Sequence, residues 1–280
     1  MPKPPNISKG RRDPGGEALE RAVVALQMQR PGEAERLAAG ALRANRNNHM
    51  AAKVLGWALL AQNRAGDAIA PVERAARRSN DPEIETVLAV ALAATGRQPE
   101  ALDQLRQTTA RRPVFPPAFR EYAGQLLKLG RFDEAVEIIE SGIAFAPDAV
   151  DLQLDLARLC LSRNDRGKAR TILSQALAAA PGRPDILAAL AKVSLLDGDY
   201  AAAADMFQHL LALWPDDAMT RADLAACQLE LGERATGETT LRAATRGSPD
   251  MLGRAVHLMA ATSHGRFFFR PSAAVKFLGS

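Results

Sequence analysis

Residues 116–149 read PPAFREYAGQLLKLGRFDEAVEIIESGIAFAPDA, and this stretch decides the fold class. Phe119, Tyr122, Ala123, Leu126, Leu127 and Leu129 recur at helical spacing as far as Gly130. Phe132, Ala135, Val136, Ile138, Ile139 and Ile143 form a second apolar run that ends before Pro147. A glycine between two amphipathic helices supplies left-handed backbone cheaply, so the chain reverses there. The proline removes an amide donor and clashes with the preceding turn, so the second helix stops short of it. Asp148, Asp216 and Asp250 each follow such a proline and are expected to cap the next helix.

The same pattern recurs along the chain. Pro113, Pro147, Pro181, Pro215 and Pro249 are spaced by 34 residues. Gly96, Gly130, Gly198 and Gly232 share that period, with Asn164 in the vacant slot, and asparagine is the next cheapest residue in left-handed backbone. Two alanine columns accompany them: Ala89, Ala123, Ala157, Ala191 and Ala225, then Ala101, Ala135, Ala169 and Ala203, continued by Gly237. Small residues mark places where helix backbones approach too closely for a long side chain. Toward the N-terminus, Gly56, Ala68 and Ala75 define a further unit with Asn63 at its turn. Ala22, Ala34 and Ala41 define a first unit that has Gln29 and Arg46 in place of glycine and proline. Terminal repeats are expected to depart from the pattern, because they face water.

In spacing and residues this pattern resembles the tetratricopeptide repeat (TPR). The resemblance rests on Leu55-Gly56, Ala68, Ala75; on Tyr122-Ala123, Gly130, Ala135, Gly142, Pro147; and on Leu190-Ala191, Gly198, Ala203, Pro215. It lacks the family's early tryptophan, carries alanine for the first glycine in five units, and has Leu210 for the second-helix alanine of the sixth. The resemblance implies an all-α, right-handed superhelical solenoid of about seven helix pairs. Its units lie near 15–48, 49–81, 82–115, 116–149, 150–183, 184–217 and 218–249. A capping helix and an aromatic tail are expected over 250–280, and a disordered basic tail over 1–14.

Composition agrees with helices: alanine and leucine are abundant, while aromatic residues make up 5% of the chain. The net charge of +4 comes from the ends, since residues 1–14 and 250–280 each carry +3 and the interior carries −2. An interior without basic excess argues against nucleic acid as the main partner. No apolar run reaches the length of a membrane span, and the N-terminus has no apolar signal core, so a cytoplasmic protein is expected. Cys160 and Cys227 have no partner at metal-ligand spacing, and the four histidines show none either. Nothing resembles a phosphate loop, a nucleophile elbow or paired catalytic carboxylates, so neither catalysis nor a cofactor is expected.

In the TPR family the first helix of each pair lines the concave face. By register that face carries Lys53 and Trp57, Arg120 and Lys128, Arg158 and Lys192, interrupted by Asp151, Asp185 and Glu230. The family's carboxylate clamp needs asparagines that are missing at these positions. The expected partner is a protein or peptide, with acidic segments suited to the cations and Trp57 as an apolar anchor. Phe267, Phe268, Phe269 and Arg270 either fold back to complete the cap or dock a partner or a second copy of the chain. A scaffold or adaptor is thus the leading expectation. The alternatives are a trans-acting regulatory or substrate-presenting subunit of a sulfotransferase- or glycosyltransferase-type transferase, and a nucleic-acid-associated regulator using the basic tails.

Overall fold

The computed structural model describes residues 14–268 and 270–279. Those residues form sixteen α-helices and one short 3-10 turn, with no strand among them. The expected tail of residues 1–14 falls outside the described residues except for Pro14, which opens the first helix.

The chain divides into two compact units that meet in sequence between Pro147 and Asp148. The first unit contains four helix pairs: α1 (Pro14–Gln27) with α2 (Pro31–Ala44), α3 (His49–Ala61) with α4 (Ala65–Ser79), α5 (Pro82–Ala94) with α6 (Gln98–Thr109), and α7 (Pro116–Lys128) with α8 (Phe132–Phe145). The second contains α9 (Val150–Ser162) with α10 (Arg166–Ala179), α11 (Pro184–Leu196) with α12 (Tyr200–Leu213), and α13 (Ala218–Glu230) with α14 (Arg234–Gly247). A 3-10 turn at Pro249–Met251 then leads into α15 (Leu252–Ala261) and α16 (Pro271–Gly279). Within the first unit each helix packs on its successor, and the first helices of neighbouring pairs also touch: α1 on α3, α3 on α5, α5 on α7. None of the described helices is long and apolar enough to cross a membrane.

One turn joins the two helices of all seven pairs. Gln29, Asn63 and Asn164 sit at φ of 59°, 58° and 60°, and Gly96, Gly130, Gly198 and Gly232 at 73–82°. In each case the next residue's amide reaches back over that position to the helix, as from Arg64 to the Leu59 carbonyl at 2.9 Å and from Glu233 to the Gln228 carbonyl at 2.9 Å. This is the Schellman closure, which satisfies carbonyls that the helix end would otherwise strand. Gln29 is the costly member, because its Cβ crowds its own backbone in the left-handed region. Gln29→Gly is expected to raise the unfolding free energy by about 0.5–1 kcal/mol, the relief of strain being partly offset by greater freedom in the unfolded chain. Urea denaturation of the two proteins checks this, and an unchanged midpoint would contradict it.

The prolines behave as their chemistry requires: α8, α10, α12 and α14 all end two residues before Pro147, Pro181, Pro215 and Pro249. The expected caps are displaced, however. The turn after each proline takes a further residue, so Asp217 rather than Asp216 receives the Met219 and Thr220 amides, at 3.0 and 3.3 Å. Asp148 caps nothing with its side chain, α9 starting from Ala149, and Asp250 lies inside the 3-10 turn. Functional caps are instead found at Asn48, Asp81, Asp165 and Asp199.

Both alanine columns lie in the core. Ala22, Ala89, Ala157, Ala191 and Ala225 are fully buried, as are Ala34, Ala68, Ala101, Ala135, Ala169 and Ala203. Leucine, isoleucine and phenylalanine from the second helices fill the space between, among them Leu105, Ile139, Leu173 and Phe207. Buried apolar surface that adjoining pairs share is what stabilises a stack whose single pairs could not fold alone.

Candidate functional site

The inward-packing column on α1, α3, α5 and α7 fixes what these helices turn outward. One residue beyond each small residue stand Val23, Trp57, Val90 and Gly124, at matching heights on four neighbouring helices. Trp57 is 36% exposed, a large solvent-facing area for an indole, and Val23 on α1 and Met50 at the start of α3 are exposed as well. A turn further along come Leu60 and Ala61 on α3, Ala93 and Ala94 on α5, and Leu127 and Lys128 on α7. The result is an apolar strip across the first helices of the first unit.

The expected cations occupy different environments. Lys53 donates from Nζ to Glu83 Oε2 at 2.6 Å, so the next pair already neutralises it. Arg120 and Lys128 are exposed on α7. Lys128 borders a hollow of about 500 Å³ with Val90, Ala93, Ala94 and Leu129, and no carboxylate among the described residues pairs with it. The same hollow holds a short relay: Gln98 Nε2 donates to Gln125 Oε1 at 2.8 Å, and Gln125 Nε2 donates to Glu121 Oε1 at 2.5 Å. That relay satisfies the buried Gln125 and fixes the Glu121 carboxylate at the rim.

In the second unit the expected cations are engaged by their own chain. Arg158 pairs with Asp155 at 3.3 Å. Lys192 lies 3.3 Å from both oxygens of the buried Asp223, which Arg254 of α15 also binds. Asp151 and Asp185 share Arg183, each at 2.6 Å. Hydrogen bonding to these two carboxylates raises the Arg183 guanidinium above its usual range, and the Arg183 bond holds Asp185 below the ordinary aspartate value. Glu230 accepts from the Ser263 amide at 3.2 Å. The Lys192, Arg183 and Glu230 contacts tie consecutive helix pairs together, the Arg158–Asp155 pair lies within α9, and all leave those charges with less to offer an outside ligand.

A larger cleft of about 750 Å³ lies between α4 and α6 over α5. At its floor Glu85, 2% exposed, accepts from Thr108 Oγ1 at 3.0 Å and from Arg111 Nε at 2.6 Å. Arg97 and Arg77 at the rim pair with Glu100 and Glu73. Each of these guanidinium groups has its carboxylate, so the cleft presents a balanced polar surface. Neither Cys160 nor Cys227 forms a disulfide and both are buried, and burial pushes the Cys227 thiol up to about 12, far from a reactive thiolate. No cluster of metal-binding side chains occurs among the described residues.

The aromatic segment splits in two. Phe267 is 69% exposed, whereas Phe268 turns inward to Phe277, their ring centroids 5.4 Å apart. Phe269 lies outside the described residues, and Arg270 is exposed. The apolar stretch after it forms α16, a helix the sequence reading leaves out although Pro271 at its start and Ala274 and Leu278 four apart announce one. Its end is fastened to α14: Arg242 Nε donates to the Phe277 carbonyl and Thr245 Oγ1 to the Leu278 carbonyl, both at 3.0 Å. Arg242 and Arg266 lie over the Phe277 ring, 4.2 and 4.6 Å from its centroid.

Models of the tetratricopeptide repeat match residues 19–83, 86–150, 126–193 and 194–261. Among solved structures, PilF of Pseudomonas aeruginosa is similar with a TM-score of 0.55 and 16% identity, over 74% of this chain and 95% of that one. A tetratricopeptide repeat protein from Parabacteroides merdae has a TM-score of 0.55 and 14% identity, over 88% of this chain and 98% of that one. The Cut9–Hcn1 hetero-tetramer of the APC/C matches with a TM-score of 0.54 and 16% identity, over 94% of this chain and 55% of that one. Identities this low speak for a shared fold. No curated protein matches the sequence.

Proposed function

Because the chain belongs to the tetratricopeptide-repeat family, we propose that it is a scaffold holding a segment of a partner protein on the open face of α1, α3, α5 and α7. Repeat stacks bind through the long surfaces that serial packing leaves open. The observation that carries the choice of face is Trp57, an indole turned to solvent within an apolar strip rather than folded into the core. Tryptophan is among the side chains enriched in the hot spots near the centre of binding interfaces, and it supplies its contact area at little cost in conformational entropy.

Affinity capture from native lysate, comparing the wild type with Trp57→Ala, tests the proposal. Proteins retained by the wild type are expected to be lost or weakened by about tenfold or more. The melting temperature should change little, since the side chain is partly exposed. An identical captured set from both proteins would place the binding surface elsewhere.

A further inference from the structure

Resting on that reading, we infer that the segment held on this face is apolar with a single carboxylate, and that Lys128 receives that carboxylate. Cations on a groove suggest an acidic ligand, but here they are unequal. Lys53 is committed to Glu83, and a partner's carboxylate arriving there would have to displace Glu83 while being repelled by it. Glu121 adds a carboxylate to the lining of the hollow beside α7. A run of acidic residues laid across the strip would meet first the mutually neutralised Lys53–Glu83 pair and then the Glu121 carboxylate, neither of which rewards it. Lys128 is different, because it opens on the same hollow without an ion-pair partner among the described residues. Between Trp57 and Lys128 the floor is Leu60, Val90, Ala93 and Ala94, which gains only from apolar side chains. Neighbouring helices lie roughly 8–10 Å apart, so the path from α3 to α7 covers about 20 Å, about six residues of extended chain.

A random peptide library displayed on phage and selected on the full chain tests this without knowledge of the natural partner. The expected enriched peptides carry two or more aromatic or aliphatic residues with one Asp or Glu toward one end. Their affinity should fall about tenfold with Trp57→Ala, and Lys128→Glu should switch the preferred charged residue to Lys or Arg. Enrichment of Asp/Glu runs, no enrichment, or an unchanged charge preference with Lys128→Glu overturns the inference while leaving the choice of face intact. Enriched peptides indifferent to Trp57→Ala overturn the face itself, and with it the proposed function. A dimer in solution that Trp57→Ala dissociates assigns the strip to a second copy of the chain and likewise overturns the inference.

Discussion

Gly56→Ala is expected to destabilise the protein by about 1–3 kcal/mol, although alanine in a helix is otherwise worth about 1 kcal/mol over glycine. A Cβ at Gly56 would stand 2.6 Å from Val72 Cγ2 and 2.8 Å from Val87 Cγ1. Both valines are fully buried, and β-branched side chains have few rotamers to retreat into. Val72 belongs to the partner helix α4 and Val87 to α5 of the next pair, so one methyl group pushes against two interfaces at once. Urea denaturation of the full chain measures the loss. Val72→Ala in the Gly56→Ala background supplies the control, since it removes the nearer of the two clashing side chains. The double variant should therefore be more stable than the sum of the single effects predicts. If Gly56→Ala unfolds at the wild-type midpoint, the close approach of α3 to its neighbours is wrong.

That position also shows where reading the sequence stops. Gly56 stands in the same column as Ala89, Ala123, Ala157, Ala191 and Ala225, and pattern alone treats them as equivalent small residues. What separates them is whether the neighbours leave room for one carbon, and this depends on side chains from two other helices. The turns are legible because left-handed backbone restricts residue type so severely that glycine and asparagine betray it. Gln29, at the first turn, is placed only by register. The exposed register of Trp57, Arg120, Lys128 and Arg158 is legible too, because it follows from the opposite, buried column. The charge pairing is not. Lys53 meets Glu83, Lys192 meets Asp223 and Asp151 meets Arg183, at separations of 30, 31 and 32 residues. Each falls a few residues short of the 34-residue period, since a long side chain reaches the near end of the following first helix. Opposite charges at that offset are thus the sequence signal for these pairs, and by that rule Lys53 and Lys192 are partnered cations rather than open ones.

The second large effect is expected at the C-terminus. Truncation after Ser263 should lower the melting temperature by about 5–10 °C, which corresponds to about 2–4 kcal/mol. Leu278 and Ala274 of α16 are fully buried; Leu278 belongs to one cluster with Leu229, Leu241 and Met259, and Phe268 and Phe277 pack against it. Removing the segment returns that apolar surface to water, at about 1.5–3 kcal/mol for each large side chain, less the entropy regained by the released residues. It also strips Arg266 from the buried Glu238 and leaves Thr245 without the Leu278 carbonyl. Gly265→Ala should reproduce much of this loss in a full-length protein. Its added Cβ would overlap the Met259 carbonyl oxygen and come within 2.5 Å of Thr262 Oγ1, so the backbone itself must shift. The same turn carries the Arg266 amide to the Met259 carbonyl at 2.6 Å and aims Phe268 at Phe277. Limited proteolysis should then cut first between residues 262 and 279 in the variant and elsewhere in the wild type. A Gly265→Ala protein that melts and digests like the wild type would mean that the segment does not close the last core. The aromatic residues would in that case be left for docking. Loss of stability in both variants makes Phe268 part of the fold and, among the described residues of the aromatic segment, leaves Phe267 on the solvent side.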